Sequence, residues 1–469
     1  MSQVLEIKGG HRLHGVVPIS GAKNAATKML LASLLTTEPC VLENVPAIQD
    51  LVFTERICEA LGVRIEHQGR GRVHVHAANL HTSEIPLELG QSNRLSIMTV
   101  GPLLHRFGEA HMPQLGGCRI GRRPVNFHTN GLMALGAEID YECGIYHARA
   151  SRLRGAHITL PYPSVMTTEN LVMTATLAAG TTIIENAACE PEVLSLFAML
   201  QQMGADIEYQ PPRTVVVRGV ERLHGVTFRT IPDRNEVVAL AVAAAITGGD
   251  VTLAGARPAD VTTFLDAMDR MGVHYEVLDD GLRFCDNQPP YRMISQETDT
   301  HPGFMTDWQS PLVALLTQAE GTGTIHETVY EDRLHYATEL CKMGADIQAS
   351  TECLGTLPCR FKDQGSYHSA VVKGPTLLHG AHVTMPDLRA GCTLVLAALR
   401  AAGTTHIEGL EHLDRGFERL DDKLCNLGAH IRRLDTAPPR SQQRSNAWRW
   451  RQPLSEPGIH AATVLPSRT

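Results

Sequence analysis

The eleven cysteines of this 469-residue chain contain no CxxC pair and are odd in number. That pattern argues against a disulfide framework or a zinc site and predicts reduced thiols, as in a cytoplasm. No pair of the 23 histidines shows metal-ligand spacing, and His74 and His76 alternate as one face of a strand would. Neither a metal nor a cofactor is expected. Long apolar runs are missing too: Met29 to Leu35 supports about two helical turns, far short of a bilayer span. Residues Met1 to Glu6 lack a basic region leading into an apolar one, so no secretory signal is expected and the expected location is cytoplasmic. Positive charge is not in excess. A net charge of -8 and a pI near 6.3 argue against nucleic acid or an anionic membrane as the main partner, while leaving room for a local basic pocket. Aromatic residues are only 5% of the chain, but 43% hydrophobic and 20% charged residues are the mixture of a soluble globular protein.

What the chain does have is a repeat. Six times an apolar helical pattern ends in a Leu/Met-Gly-Ala/Val turn, at Gly62, Gly136, Gly204, Gly272, Gly344 and Gly428, and a short alternating strand follows. The period of roughly 70 residues predicts one supersecondary unit copied six times. Each unit reads as strand, polar turn, helix, Gly turn, strand, second helix, Gly turn, strand. In the first, Val16–Ile19 is a strand, Ser20–Asn24 a turn, Ala25–Leu35 a helix and Val41–Val45 a strand, with a second helix ending at Leu61. The third repeats it with a strand over Ala156–Leu160 and a helix reaching Ala179. The expected fold class is therefore α/β, with two similar domains of three repeated units each. The first spans 23–231. The second combines 1–22 with 232–436, and 437–469, rich in Pro, Ser, Arg and Gln, is expected to be a disordered tail.

The turns that open the first helix of each unit carry Lys23 and Asn24, then Arg94, then Thr167, Thr168 and Glu169, then Asp233, Arg234 and Glu236, then Asp307, then Asp387 and Arg389. Helix N-termini offer unpaired N–H groups and partial positive charge. Several of them converging with Lys and Arg would bind phosphate or carboxylate. The competing reading is that the acidic residues only cap their helices. In Gly116-Gly117-Cys118-Arg119-Ile120-Gly121-Arg122-Arg123, three arginines around Cys118 favour its thiolate, and the glycines suit a loop that closes over an anion. Asp307, at a helix start after His301-Pro302, is placed to accept a proton or to cap.

These segments together resemble the enolpyruvyl transferases over roughly residues 1 to 435. The carriers are Ser20-Gly21-Ala22-Lys23-Asn24-Ala25, Gly117 to Pro124, Pro232-Asp233-Arg234, His301-Pro302 with Thr306-Asp307, Asp387-Leu388-Arg389-Ala390 and Asp414 to Glu418. The resemblance implies an inside-out α/β arrangement of two three-unit domains. It also implies transfer of the enolpyruvyl group of phosphoenolpyruvate to a hydroxyl of a uridine nucleotide, with release of phosphate. By that resemblance Lys23, Arg123 and Arg415 hold the phosphate, with Asn24 beside them, and Arg389 holds the carboxylate. Cys118 is the proton donor, forms a covalent adduct and is alkylated by fosfomycin; Asp307 takes the acceptor proton. Arg94, Arg123, Pro124, Val125, Asn126, Phe127, Tyr162, Pro163, Ser164, Val165 and Val329 fall where the family binds its nucleotide.

The departures from the family pattern lie on the acceptor side. Met166 stands where Gly is usual, Asn126 where Asp is usual and Cys189 where Arg is common, and Asn235 to Ala239 are bulkier than the family's run. Two acceptors are thus open: the 3-hydroxyl of the N-acetylglucosamine moiety of the UDP-sugar, or the 3′-hydroxyl of UMP as in nucleoside-antibiotic relatives. A regulatory paralogue without activity is the reading of another class, and the complete set of Lys23, Cys118, Arg123, Asp307, Arg389 and Arg415 argues against it.

Overall fold

Buried apolar side chains gather in two separate cores, one built from Leu5–Ile19 with Val237–Ala429 and the other from Ala22–Ile231. The computed structural model describes residues 3–116 and 125–435. Six sheets surround the cores, three to each. In five of them a four-stranded path mixes parallel and antiparallel pairing. The sixth, Glu109–Pro113, Ile145–Arg149 and Glu138–Glu142, is antiparallel throughout.

The arrangement follows from the helix sequences. In Arg234–Thr247 every residue from Arg234 to Ile246 is buried, because Val, Ala, Leu and Ile occupy all sides of the helix. A helix with no polar face cannot sit between sheet and water, so it lies at the centre. Gln309–Leu316 and Leu388–Arg400 are similarly buried, and the three pack against one another. The sheets lie outside, with alternating strands such as Thr181–Glu185 turning Thr182 and Ile184 inward. All six repeat glycines have positive φ, between 77° and 103°, the left-handed region that an L side chain disfavours.

The chain passes between the cores twice, and the two passages lie side by side. Ala22 N–H donates to Ile231 C=O at 2.7 Å, and Asp233 N–H donates to Ser20 C=O at 2.8 Å. Gly21 is required here, since a Cβ would lie 1.6 Å from the Asn44 carbonyl oxygen. The N-terminal strand Gln3–Lys8 pairs with Thr404–Glu408 and His430–Asp435, closing the second core with the first residues of the chain.

Two helix limits differ from expectation. The first helix covers Lys23–Ala32, with Ser33–Leu35 as a tighter turn, so Lys23 and Asn24 are its first residues and not the turn before it. The cause is Ala22, whose extended backbone already lends its carbonyl to Ala25 and Ala26 N–H. The helix expected to reach Ala179 is Val165–Ala175, where the Thr176 hydroxyl bonds the Met173 carbonyl. The segment 437–469 lies outside the described residues. Among the described residues, no helix is long and apolar enough to cross a membrane.

Candidate active site

The starts of the central helices meet in a cavity of about 600 Å³ between the two cores. Its wall holds Lys23 and Asn24, Arg94, Phe127, Tyr162 to Thr167, Arg234, Thr306 and Asp307, Val329, Asp387 to Arg389 and Arg415. Of the residues singled out from the sequence, Lys23, Asn24, Arg94, Phe127, Tyr162, Pro163, Ser164, Val165, Asp307, Val329, Arg389 and Arg415 share this wall. Val125 and Asn126 do not. Asn126 begins the helix Asn126–Ala134 and is exposed; neighbours on a helix are about 100° apart, so turning Phe127 inward turns Asn126 away. Cys118, Arg123 and Pro124 lie outside the described residues.

Two charge clusters organise the wall. In the first, Asp50 sits between Lys23 Nζ at 2.9 Å and Arg415 Nε at 2.8 Å, joining the two cores. Burial pushes the Asp50 carboxyl up, but the two cations outweigh it and hold its pKa below the ordinary value. In the second, the Asp307 carboxylate accepts from Arg389 Nε at 3.0 Å and from Arg333 Nη2. Here too burial acts upward, and Arg389 and Arg333 reverse it, holding the carboxyl well below the usual range. Asp307 is therefore ionised at neutral pH.

Some helix-start acids serve backbone only. Asp387 accepts from Arg389 and Ala390 N–H, and Asp233 accepts from Asn235, Glu236 and Lys23 N–H, which is capping. Glu236 bonds Lys423 and Ser20 N–H. Glu169 is fully buried, and among the described residues neither carboxylate oxygen has a hydrogen-bond partner. Lys28 Nζ is 3.8 Å away, and desolvation raises its pKa to about 8 despite that cation.

The wall also contains buried guanidinium donors. Arg234 Nε pairs with Glu192 Oε1 at 2.9 Å, both side chains being almost wholly buried, while Nη1 and Nη2 have no hydrogen-bond partner among the described residues. Nη1 of Arg389 is buried and likewise lacks a hydrogen-bond partner among the described residues. Buried guanidinium edges are costly unless they meet an acceptor, so these positions favour a negatively charged ligand.

Sequence reading missed Asp50, Arg333 and Arg360. Asp50 lies in the first turn of a unit's second helix, Gln49–Leu61, whereas the polar signal in the sequence marks the first helix of each unit. Arg333 and Arg360 lie outside regular structure and carry no local signal. Arg360 stacks on Tyr162, its guanidinium carbon 4.0 Å from the ring centroid, and both residues line the cavity. Beside Cys189, Arg213 supplies a guanidinium at 3.6 Å from the sulfur that also bonds Thr300 Oγ1.

A sequence model of the family described as EPSP synthase (3-phosphoshikimate 1-carboxyvinyltransferase) matches residues 7–424. The chain belongs to this family. It is an enolpyruvyl transferase, a member of the 1-carboxyvinyltransferase class. Among its relatives, UDP-N-acetylglucosamine 1-carboxyvinyltransferase of Protochlamydia amoebophila is 43% identical over 91% of this chain and 94% of its own length. The enzyme of that name from Chlamydia abortus is 42% identical over 92% and 98%. In three dimensions the chain is similar to the enolpyruvyl transferase NikO from Streptomyces tendae, with a TM-score of 0.81 at 28% identity, covering 93% of this chain and 100% of that one. EPSP synthase from Acinetobacter baumannii shares the fold at TM-score 0.70 and 18% identity, over 93% of this chain and 100% of its own. The α/β enolpyruvyl transferase architecture implied by the motifs is the one found.

Proposed function

We propose that this enolpyruvyl transferase moves the enolpyruvyl group of phosphoenolpyruvate to the 3-hydroxyl of the sugar of UDP-N-acetylglucosamine, releasing phosphate, in the cytoplasm. The observation that carries it is the pairing of an ionised Asp307 with cationic groups in one cavity whose wall has guanidinium edges without a hydrogen-bond partner among the described residues. Relatives bearing that enzyme name at 42–43% identity over nearly their whole length support the acceptor.

In this reading Lys23 and Arg415 receive the phosphate and Arg389 the carboxylate of phosphoenolpyruvate. Addition requires the acceptor oxygen to bond to C2 while a proton is delivered to C3. Elimination then breaks the C2–O bond to phosphate as a C3 proton returns to the deprotonated Cys118, restoring the C2=C3 double bond and forming the enol-ether product. Asp307 takes the hydroxyl proton, and Cys118, by family resemblance, delivers the proton to C3. Clustered cations offset the charge of the substrate and the leaving phosphate. As a base, Asp307 is restrained by its two arginines. A substrate carboxylate that draws Arg389 onto itself would weaken that restraint, so base strength would rise when phosphoenolpyruvate arrives. The nucleotide lies along Arg94, Phe127, Tyr162 to Val165 and Val329. There the first turn of the helix Val165–Ala175 supplies N–H groups for phosphate.

Met166 favours a second acceptor. It lines the cavity in that first turn, where a smaller residue would let the backbone approach a diphosphate, and the likeness to NikO covers the same chain length. UMP, lacking the sugar, is the alternative. Phosphate release from phosphoenolpyruvate decides between them. Release with the UDP-sugar alone upholds the first reading, release with UMP alone upholds the second, and release with neither refutes both.

A further inference from the structure

Far from any recognisable spacing, the fold gathers His326, Cys353, Cys359 and His368, with one ligand atom from each within 4.8 Å of the others. His326 ends the strand Ala319–His326, which runs antiparallel to Ser369–Gly374 with His326 opposite Ser369, so His368 stands beside it. The two cysteines come from the segment joining Asp346–Ser350 to Ser369–Gly374, which contains neither helix nor strand. An irregular connection of that length needs something to hold it.

The hydrogen bonds show what the four side chains are arranged to do. His326 Nδ1 lies 3.2 Å from Glu297 Oε2, and His368 Nδ1 lies 2.8 Å from the Ser366 carbonyl oxygen. Both partners are acceptors, so each Nδ1 carries the proton and each Nε2 presents a lone pair. His326 Nε2 is buried and has no hydrogen-bond partner among the described residues. His368 Nε2 is 3.3 Å from Cys353 Sγ, and Cys359 Sγ accepts from Phe361 N–H at 3.4 Å. Two imidazole lone pairs and two sulfurs thus face one another with no donor among them except the thiol protons. For a tetrahedral zinc site, Zn–S and Zn–N lengths imply an N···S edge of about 3.5 Å, and the 3.3 Å between His368 Nε2 and Cys353 Sγ is within about 0.3 Å of it. Carboxylate and carbonyl groups behind the imidazoles are the outer partners that orient metal-bound histidines. Glu297 also fixes the loop itself, accepting from Thr356 N–H at 2.9 Å and Leu357 N–H at 2.8 Å.

We infer that His326, Cys353, Cys359 and His368 form a structural Zn²⁺ site. Two thiols and two imidazoles in a tetrahedral set select zinc among the common divalent ions. Binding replaces the two thiol protons, which are released to solvent, and leaves a neutral centre of one dication and two thiolates. The site lies outside the catalytic cavity, yet Cys359 immediately precedes Arg360, the residue stacked on Tyr162 in the cavity wall. The metal therefore anchors the loop that carries this guanidinium.

The test uses the full chain, purified under reducing conditions without chelator, and measures zinc by elemental analysis. About one zinc per chain is expected. Exchange with Co²⁺ should give the intense visible bands of tetrahedral cobalt and a thiolate charge-transfer band. Cys353→Ser with Cys359→Ser should lose both signals, whereas Cys341→Ser, at an exposed cysteine elsewhere, should keep them. A wild-type chain that holds no zinc and binds neither Zn²⁺ nor Co²⁺ overturns the inference, as does a double variant with undiminished metal. If the double variant does not fold, the cobalt spectrum of the wild type still decides. Neither readout involves turnover, so failure here and failure of the acceptor assignment are separate results.

Discussion

Asp307 and Arg389 are joined by a 3.0 Å ion pair inside the cavity, and each is mostly buried there. The acid and the cation proposed for different parts of the substrate pair are thus each other's partners before substrate enters. Asp307→Asn preserves size but cannot accept the hydroxyl proton. It should lower kcat by about 10² to 10⁴ with little change in KM for phosphoenolpyruvate. Steady-state phosphate release checks this, and a near-normal kcat would remove Asp307 from the role of base.

Asp50 holds the other pair of cations. Asp50→Asn leaves Lys23 and Arg415 close together without their carboxylate, a loss of roughly 3 kcal/mol for a broken buried pair. Inorganic phosphate should recover part of that loss, so it should raise Tm more in the variant than in the wild type. Thermal unfolding with and without phosphate measures the difference. Equal shifts would argue against a phosphate site at Lys23 and Arg415.

Glu169 makes stability depend on pH. Its folded pKa of about 8 lies above the ordinary 4.5 because burial disfavours the charge. The native state then binds more protons than the unfolded state between these values. The contribution is complete below pH 4.5 and is lost as pH rises through about 8. Glu169→Gln should flatten this part of the profile and be relatively more stable at pH 8 than at pH 5. Urea unfolding at the two pH values tests it. Identical pH dependence in both proteins would mean that Glu169 does not titrate in this window.

Met166 lines the cavity in the first turn of the helix Val165–Ala175, on the side proposed for the acceptor. Met166→Gly should raise kcat/KM for the UDP-sugar relative to UMP, by about tenfold if a diphosphate contact is opened. It should cost up to about 1 kcal/mol of stability through helix propensity. Competition between the two nucleotides gives the ratio directly. An unchanged ratio would show that Met166 does not govern acceptor choice.

Local chemistry made much of this protein legible. Each repeat glycine ends a helix because a left-handed residue is cheapest there without a side chain, and that cause acts within a few residues. Apolar residues on every side of Arg234–Thr247 likewise determine that the helix must be interior. Those local rules, with the motifs around Lys23, Asp307 and Arg389, were enough for the α/β architecture and the enolpyruvyl transferase family. Tertiary structure decided what spacing could not carry. Asp50 meets Arg415 from 365 residues away, and the resulting balance of burial against two cations exists only once both cores are in contact. Arg360 reaches Tyr162 by the same long route. The helix cap Asp387 and the proposed base Asp307 read alike in sequence because both are acids at helix starts. Only the atoms around each carboxylate, backbone N–H for one and two guanidiniums for the other, separate them. The two histidines and two cysteines read as unrelated for the same reason, since strand pairing and a long loop bring them together where their order along the chain does not.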